Sequence, residues 1–213
     1  MRHRTRARPY SGTRIGLDLD NTLITYDHLF YEIALHWQFI PSGFSGTKRE
    51  IRDAVRRLPD GEREWQRLQA EVYGPAIGGA RVAEGASDFV RDAREGGAEL
   101  AIVSHKSTFA HIGTTNVDMR EAARIWLRSS GLIGPDGIAE DEIYFEDTRA
   151  RKIARIVSLR CTHFVDDLEE VFEDAAFPAG VERLLLGSGH GTRARPYRTY
   201  ASFREIARAF STA

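Results

Sequence analysis

Short apolar runs alternate along this chain with stretches of helical periodicity, and that alternation leaves few ways to fold. "IGLDL" (15–19), "ELAIVS" (99–104), "EIYF" (142–145), "THFV" (162–165) and "VERLLL" (181–186) have strand character. Residues 83–95, 117–129, 149–159 and 168–174 carry helical spacing between them, and a closing helix is expected over about 202–210. Strands that alternate with helices build a parallel sheet covered on both faces, so the expected class is α/β with a Rossmann-like sheet.

The interval between the first and second strands is far longer than one crossover helix requires. Residues 25–37, 47–58 and 61–73 have the spacing of three helices, broken by "IPSGFSG" and "LPDG" and followed by "GPAIGG". An all-helical subdomain over 25–80 is therefore expected on a βα loop, at the carboxyl end of the first strand, where open parallel sheets bind ligands. Residues 14–24 and 81–213 then form the core, and 1–13 a basic, solvated tail.

Lys plus Arg (30) nearly balances Asp plus Glu (31), so no overall field favours nucleic acid or an acidic membrane surface. No apolar run approaches the length of a membrane span. Cys161 is the single cysteine, which rules out an internal disulfide and fits a reducing cytoplasm, with the thiol as a small core filler. The hexapeptide "TRARPY" occurs at 5–10 and again at 192–197, and two copies do not make a repeat architecture.

The first strand ends in "DLDNTL", which gathers Asp18, Asp20, Asn21 and Thr22 where a core strand should turn back. Burying carboxylates there costs several kcal/mol per ion, as an order of magnitude, unless a cation or hydrogen bonds compensate. Residues at i and i+2 point the same way from an extended backbone, so Asp18 and Asp20 can serve one site and attract a hard divalent cation. A helix-loop-helix calcium site fails, because Leu23 and Leu29 stand where it needs Gly and Glu. Helix capping explains one polar residue but not a pair facing one way.

"DLDNTL" after a strand resembles the first motif, Asp-x-Asp-x-Thr, of the haloacid dehalogenase-like superfamily, a group dominated by magnesium-dependent phosphatases. The other motifs of that family have counterparts in order: Ser104 at the end of "LAIVS", Lys152 at the start of a later helix, and Asp166 with Asp167 in "THFVDD". Arg149 and Arg151 flank Lys152 as rival phosphate contacts, and Glu170 is near the register of a further acid that some members carry.

The resemblance implies a Mg²⁺ ion held by Asp18, the backbone carbonyl of Asp20, and Asp166 or Asp167, with Asp167 the expected direct ligand. It also implies that Asp18 attacks phosphorus to form an aspartyl-phosphate, that Asp20 moves the protons, and that Ser104 and Lys152 hold the phosphoryl oxygens. Asp20 favours phosphoryl transfer over carbon-halogen cleavage, because a halide leaves without a proton. The expected partner is a small-molecule phosphate ester, with the 25–80 insert acting as the family's cap. A phosphomutase of the same fold and a noncatalytic metal- or ligand-binding regulatory module are the alternatives.

Thr22, His105 and Lys106 are the expected substrate contacts, the latter two from the loop "SHKSTFAHIGTTNVD" that follows Ser104 and also carries His111. Tyr26, His28, Lys48 and Arg49 are candidates from the insert, while Trp37 and Trp65 fit packing inside it. "LLLGSGHGTR" is discounted as a nucleotide cradle, since Thr192 occupies the third-glycine position and no Gly-Lys-Ser/Thr occurs.

Overall fold

The structure is a computed structural model that describes residues 9–109, 117–187 and 195–211. In chain order its strands are β1 (Arg14–Leu17), β2 (Ile24–Thr25), β3 (Arg81–Val82), β4 (Glu99–His105), β5 (Ile143–Glu146), β6 (His163–Asp166), β7 (Glu182–Leu186) and β8 (Arg198–Tyr200). Its helices are α1 (Asp27–His36), α2 (Lys48–Val55), α3 (Gly61–Tyr73), α4 (Ala86–Glu95), α5 (Met119–Ser130), α6 (Arg149–Ser158), α7 (Glu169–Phe172) and α8 (Phe203–Ser211).

Six strands pair in the order β5-β4-β1-β6-β7-β8, with every neighbouring pair parallel. The expected Rossmann-like α/β class is what the chain adopts. β1 lies in the middle, where Leu17 pairs with Ile102 of β4 and with Val165 of β6. Residues just past Leu17 therefore emerge between the carboxyl ends of two neighbours. β8 was not expected from the sequence: it is a three-residue edge strand whose residues are exposed or half-buried, so it carries no apolar signature.

Contacts divide the chain into two compact units. One comprises Met1–Leu23, Val82–His105 and Ser130–Ala213. Its sheet alternates with the period of two that a strand imposes. Phe164 of β6 faces a core cluster with Val103, Ile153, Ile156, Phe172 and Leu185, while its neighbour His163 meets the Phe210 ring of α8 at 4.7 Å. On that second side Tyr10 packs on Phe89 and Phe210, and Phe89 on Phe203. Gly16 pairs in register with Phe164, and a Cβ at Gly16 would come within 2.5 Å of that ring, so only glycine lets the central strand sit there. Cys161 is buried in the same cluster, and burial pushes its thiol up to about 11, which leaves it inert at neutral pH.

The second unit comprises Ile24–Arg81 and Lys106–Ser129. The first of these segments lies close to the 25–80 interval expected as a helical insert. α1, α2 and α3 pack on one another pairwise. Thr47 opens α2 with a reciprocal capping box: its hydroxyl accepts from the Glu50 N–H while the Glu50 carboxylate accepts from the Thr47 N–H. Trp65 is buried and stacks on Phe30 with centroids 5.2 Å apart, so it is packing material as expected. Trp126 of α5 donates its indole N–H to the Ala80 carbonyl at 3.2 Å, which ties the two segments of this unit together. α1 starts two residues later than its periodicity suggests because Ile24–Thr25 pairs with Arg81–Val82 in a two-stranded ribbon where the chain enters and leaves the first segment.

Both "TRARPY" copies lie partly outside the described residues. In the described parts each tyrosine is buried: Tyr10 against Phe89 and Phe210, Tyr197 against Phe172. His111, most of the 1–13 tail and residues 188–194 of the glycine-rich loop also lie outside the described residues. Among the described residues, no helix is long and apolar enough to cross a membrane.

Candidate active site

The ladder of β1 continues one residue beyond the strand, since the Asp18 N–H donates to the Val165 carbonyl at 2.9 Å. The chain then turns sharply. Leu19 offers its carbonyl to the N–H groups of Thr22 and Leu23, and Asn21 takes a left-handed conformation (φ 59°). Asparagine tolerates that region better than most side chains because its amide can bond locally. The turn buries Thr22, whose hydroxyl donates to Asp167 Oδ1 at 3.4 Å, a long contact that still brings the first motif against the last.

β6 supplies the opposing acids. Val165 pairs with Leu17, so Asp166 comes abreast of Asp18 at the same sheet edge. α6 brings the counter-ion: Thr148 caps it by accepting from the Arg151 N–H at 3.2 Å, and the Lys152 N–H donates to the Thr148 carbonyl at 2.9 Å. This fixes Lys152 on the buried face with Ile153 and Ile156. Its ammonium donates to Asp18 Oδ1 at 2.7 Å and to Asp166 Oδ2 at 2.6 Å. Asp18 is 4% exposed, Lys152 2% and Asp166 0%. Asp166 Oδ1 accepts from the Leu168 N–H at 3.0 Å, so both its oxygens are engaged.

One carboxylate oxygen from each of Asp18, Asp166 and Asp167 lies within 4.8 Å of the others. One ammonium therefore faces three acids. Burial opposes the charge on Lys152, but Asp18 and Asp166 outweigh it and hold the ammonium well above the ordinary lysine range. Burial raises Asp166 against the pull of Lys152. Burial, followed by the charges of Asp18 and Asp166, pushes Asp167 up to about 8. A three-carboxylate oxygen donor set carrying uncompensated negative charge fits a hard divalent cation.

These shifts give a testable sign. A carboxyl whose folded pKa lies above its unfolded value near 3.8 holds an extra proton in the folded state between those two values. Its contribution to stability is then largest below pH 4 and declines as pH rises towards about 8. Asp167→Asn is thus expected to stabilise the metal-free protein by roughly 2 kcal/mol at pH 8, with the gain shrinking towards pH 5. Urea unfolding in EDTA across that range measures it, and a gain independent of pH would contradict the assignment.

The remaining expected residues are placed as follows. Asp20 is half-buried and outside the carboxylate cluster, which leaves its backbone carbonyl as the group expected to face a metal. Ser104 is buried at the end of β4, two residues past the Ile102 that pairs with Leu17, and so at the same sheet edge. His105 is exposed, its Nε2 3.0 Å from the Asp147 carbonyl. Lys106 belongs to the second unit. Arg151 pairs with Asp147, and Arg149 donates to the Glu170 carbonyl, so Lys152 is the cation that reaches Asp18. His28 sits 2.8 Å from the Gly79 carbonyl. The Leu168 N–H that locks Asp166 was not foreseen, because backbone donors carry no sequence signal.

No protein-family model and no curated protein sequence matches the chain. Solved structures do. A haloacid dehalogenase-like family hydrolase from Streptococcus pneumoniae aligns with TM-score 0.60 at 17% identity, over 93% of this chain and 98% of the other. YfnB of Bacillus subtilis, described as a HAD-hydrolase and solved bound to magnesium, aligns with TM-score 0.55 at 13% identity, over 94% and 99%. A "predicted phosphoglycolate phosphatase" from Haemophilus somnus aligns with TM-score 0.54 at 16% identity, over 92% and 97%. At these identities the likeness establishes a shared fold, that of the haloacid dehalogenase-like hydrolases.

Proposed function

We propose that the protein is a Mg²⁺-dependent phosphomonoester hydrolase acting on a small soluble phosphate ester through an aspartyl-phosphate. The observation that carries this is the buried Lys152 ammonium bridging Asp18 and Asp166 beside a third carboxylate, Asp167. A pair of strand-end acids alone could be structural. Three acids around one lysine make a site with surplus negative charge, suited to bind metal beside a nucleophile.

In this proposal Asp18, the backbone carbonyl of Asp20, and Asp167 hold the ion. Asp167 is preferred to Asp166 because both Asp166 oxygens already accept hydrogen bonds. A bound Mg²⁺ would supply the positive charge that lets a carboxylate approach an anionic phosphate. Lys152 fixes Asp18 by its Oδ1, which leaves Oδ2 to attack phosphorus. As the phosphorus–oxygen bond to the alcohol breaks, Asp20 gives its proton to the leaving oxygen. It then takes a proton from the water that hydrolyses the aspartyl-phosphate, which restores Asp18. Lys152 and Ser104 offer donors to the transferring oxygens. In this proposal the helical insert over 25–80 takes the role of a cap that sorts substrates.

Hydrolysis of p-nitrophenyl phosphate in Mg²⁺ and in EDTA tests this. Chelation is expected to remove turnover and added Mg²⁺ to restore it. Activity indifferent to EDTA, or failure to hydrolyse any ester in a broad panel, would refute it.

A further inference from the structure

Arginines gather at one side of the sheet where no step of the proposed chemistry needs them. A cavity of about 450 Å³ is lined by Val181, Glu182 and Arg183 around the start of β7, and by Arg195, Pro196 and Arg198, which lead into β8. All of these residues belong to the first compact unit, and none belongs to the Asp18 cluster.

Two of the three guanidinium groups have acids of their own. Arg198 pairs with Glu182 at 3.1 Å, and Arg195 pairs with Glu169 while also donating to the Tyr197 hydroxyl. His163 is a second neighbour of Glu182, but burial holds its imidazole below the ordinary range, so at neutral pH the carboxylate answers Arg198. Arg183 is different. It is half-buried, its guanidinium lies 4.8 Å from the centre of the Phe177 ring, and it donates to the carbonyls of Phe172 at 2.8 Å and Phe177 at 3.4 Å. Among the described residues no carboxylate pairs with it.

The carbonyl contacts explain a donor at this position but not a charge. A neutral amide would satisfy the same carbonyls at a smaller desolvation cost. α7 ends at Phe172 and has only four residues, so its dipole is too short to hold a full positive charge. The cavity therefore keeps a net positive charge, with three guanidinium groups against the carboxylates of Glu182 and Glu169. It is also preorganised. Arg195 grips Glu169, the first residue of α7, and Arg183 grips the carbonyl of Phe172, the last. Guanidinium groups fixed in this way lose little freedom when they meet a ligand.

Guanidinium forks match the oxygens of phosphate and carboxylate. Three of them around one cavity suit the three terminal oxygens of a phosphate monoester better than the two coplanar oxygens of a carboxylate. Val181 and Pro196 add apolar wall, and the volume falls within the range of about 300–1,000 Å³ usual for small-molecule sites, so the anion comes with an organic body.

We propose that this arginine-lined cavity binds an organic phosphate of about the size of a nucleoside monophosphate, at a site separate from the Asp18 centre. Binding there does not depend on the phosphatase assignment and holds whether or not any ester is hydrolysed.

Calorimetry of the full chain in EDTA, with AMP as the probe, tests it. Without metal the Asp18 site presents surplus negative charge and repels phosphate, so binding in EDTA reads the arginine cavity. AMP is expected to bind with Kd below about 1 mM, adenosine at least about tenfold more weakly, and inorganic phosphate should displace AMP. Arg183→Gln should weaken AMP by about tenfold or more. Arg198→Glu should do the same from an exposed position that leaves the α7 contacts untouched, and it carries the decision if Arg183→Gln unfolds. No AMP binding up to about 10 mM, adenosine binding as tightly as AMP, or phosphate that fails to compete would overturn the proposal. So would an AMP affinity in Arg198→Glu within about threefold of wild type.

Discussion

Asp18→Asn is expected to lower kcat for p-nitrophenyl phosphate by at least about a thousandfold while leaving the protein folded. The amide has the shape of the carboxylate, and its oxygen can still accept from Lys152, so the 2.7 Å contact does not depend on the lost charge alone. What it lacks is an oxygen nucleophilic enough to displace an alkoxide from phosphorus. Removing one of three clustered negative charges also relieves Asp166 and Asp167, both of which are raised by the Asp18 charge. The urea midpoint of the metal-free variant should therefore equal or exceed that of the wild type. This separates loss of chemistry from loss of fold. Turnover within about tenfold of wild type would mean that Asp18 is not the attacking group.

Lys152→Met should do the opposite and damage the fold as much as the chemistry. Removing the cation strands Asp18 and Asp166, which are almost wholly buried, with no ammonium between them. Breaking a buried ion pair from one side typically costs about 3–5 kcal/mol, because the remaining charge stays desolvated. That loss should appear in urea unfolding at neutral pH. It should shrink on acidification, as Asp166 takes up a proton, and shrink again when Mg²⁺ is added and takes over part of the neutralisation. A metal-free loss below about 1 kcal/mol would show that Lys152 is not what holds the acids together.

The central strands were legible in the sequence because burial on both faces forces near-continuous apolar composition, as in "LAIV" of β4 and "FV" of β6. The margins were not. Arg198–Tyr200 becomes a strand through backbone pairing with β7, and backbone pairing leaves no mark on side-chain polarity at a sheet edge. The short pairing of Ile24–Thr25 with Arg81–Val82 is hidden for the same reason, and it displaced the expected start of α1. Within the site, the acids and Lys152 could be read because charged residues at strand ends and a helix start are conspicuous against an apolar background. Outside it, the grip of Arg183 and Arg195 on the two ends of α7 could not, since Arg183 bonds a backbone carbonyl and Arg195 meets Glu169 only once the chain has folded.

The capped first turn of α6 sets a further constraint on this chain. Lys152 reaches both carboxylates because it is the fourth residue past the Thr148 cap, which places the ammonium at one angular position around the helix. Inserting or deleting one residue within that turn would swing it by about 100° and aim it away from both acids. The loop before Thr148 can change length without this penalty. Any relative of this protein that keeps the chemistry must therefore conserve the phase of this helix more strictly than the identity of the residues that lead into it.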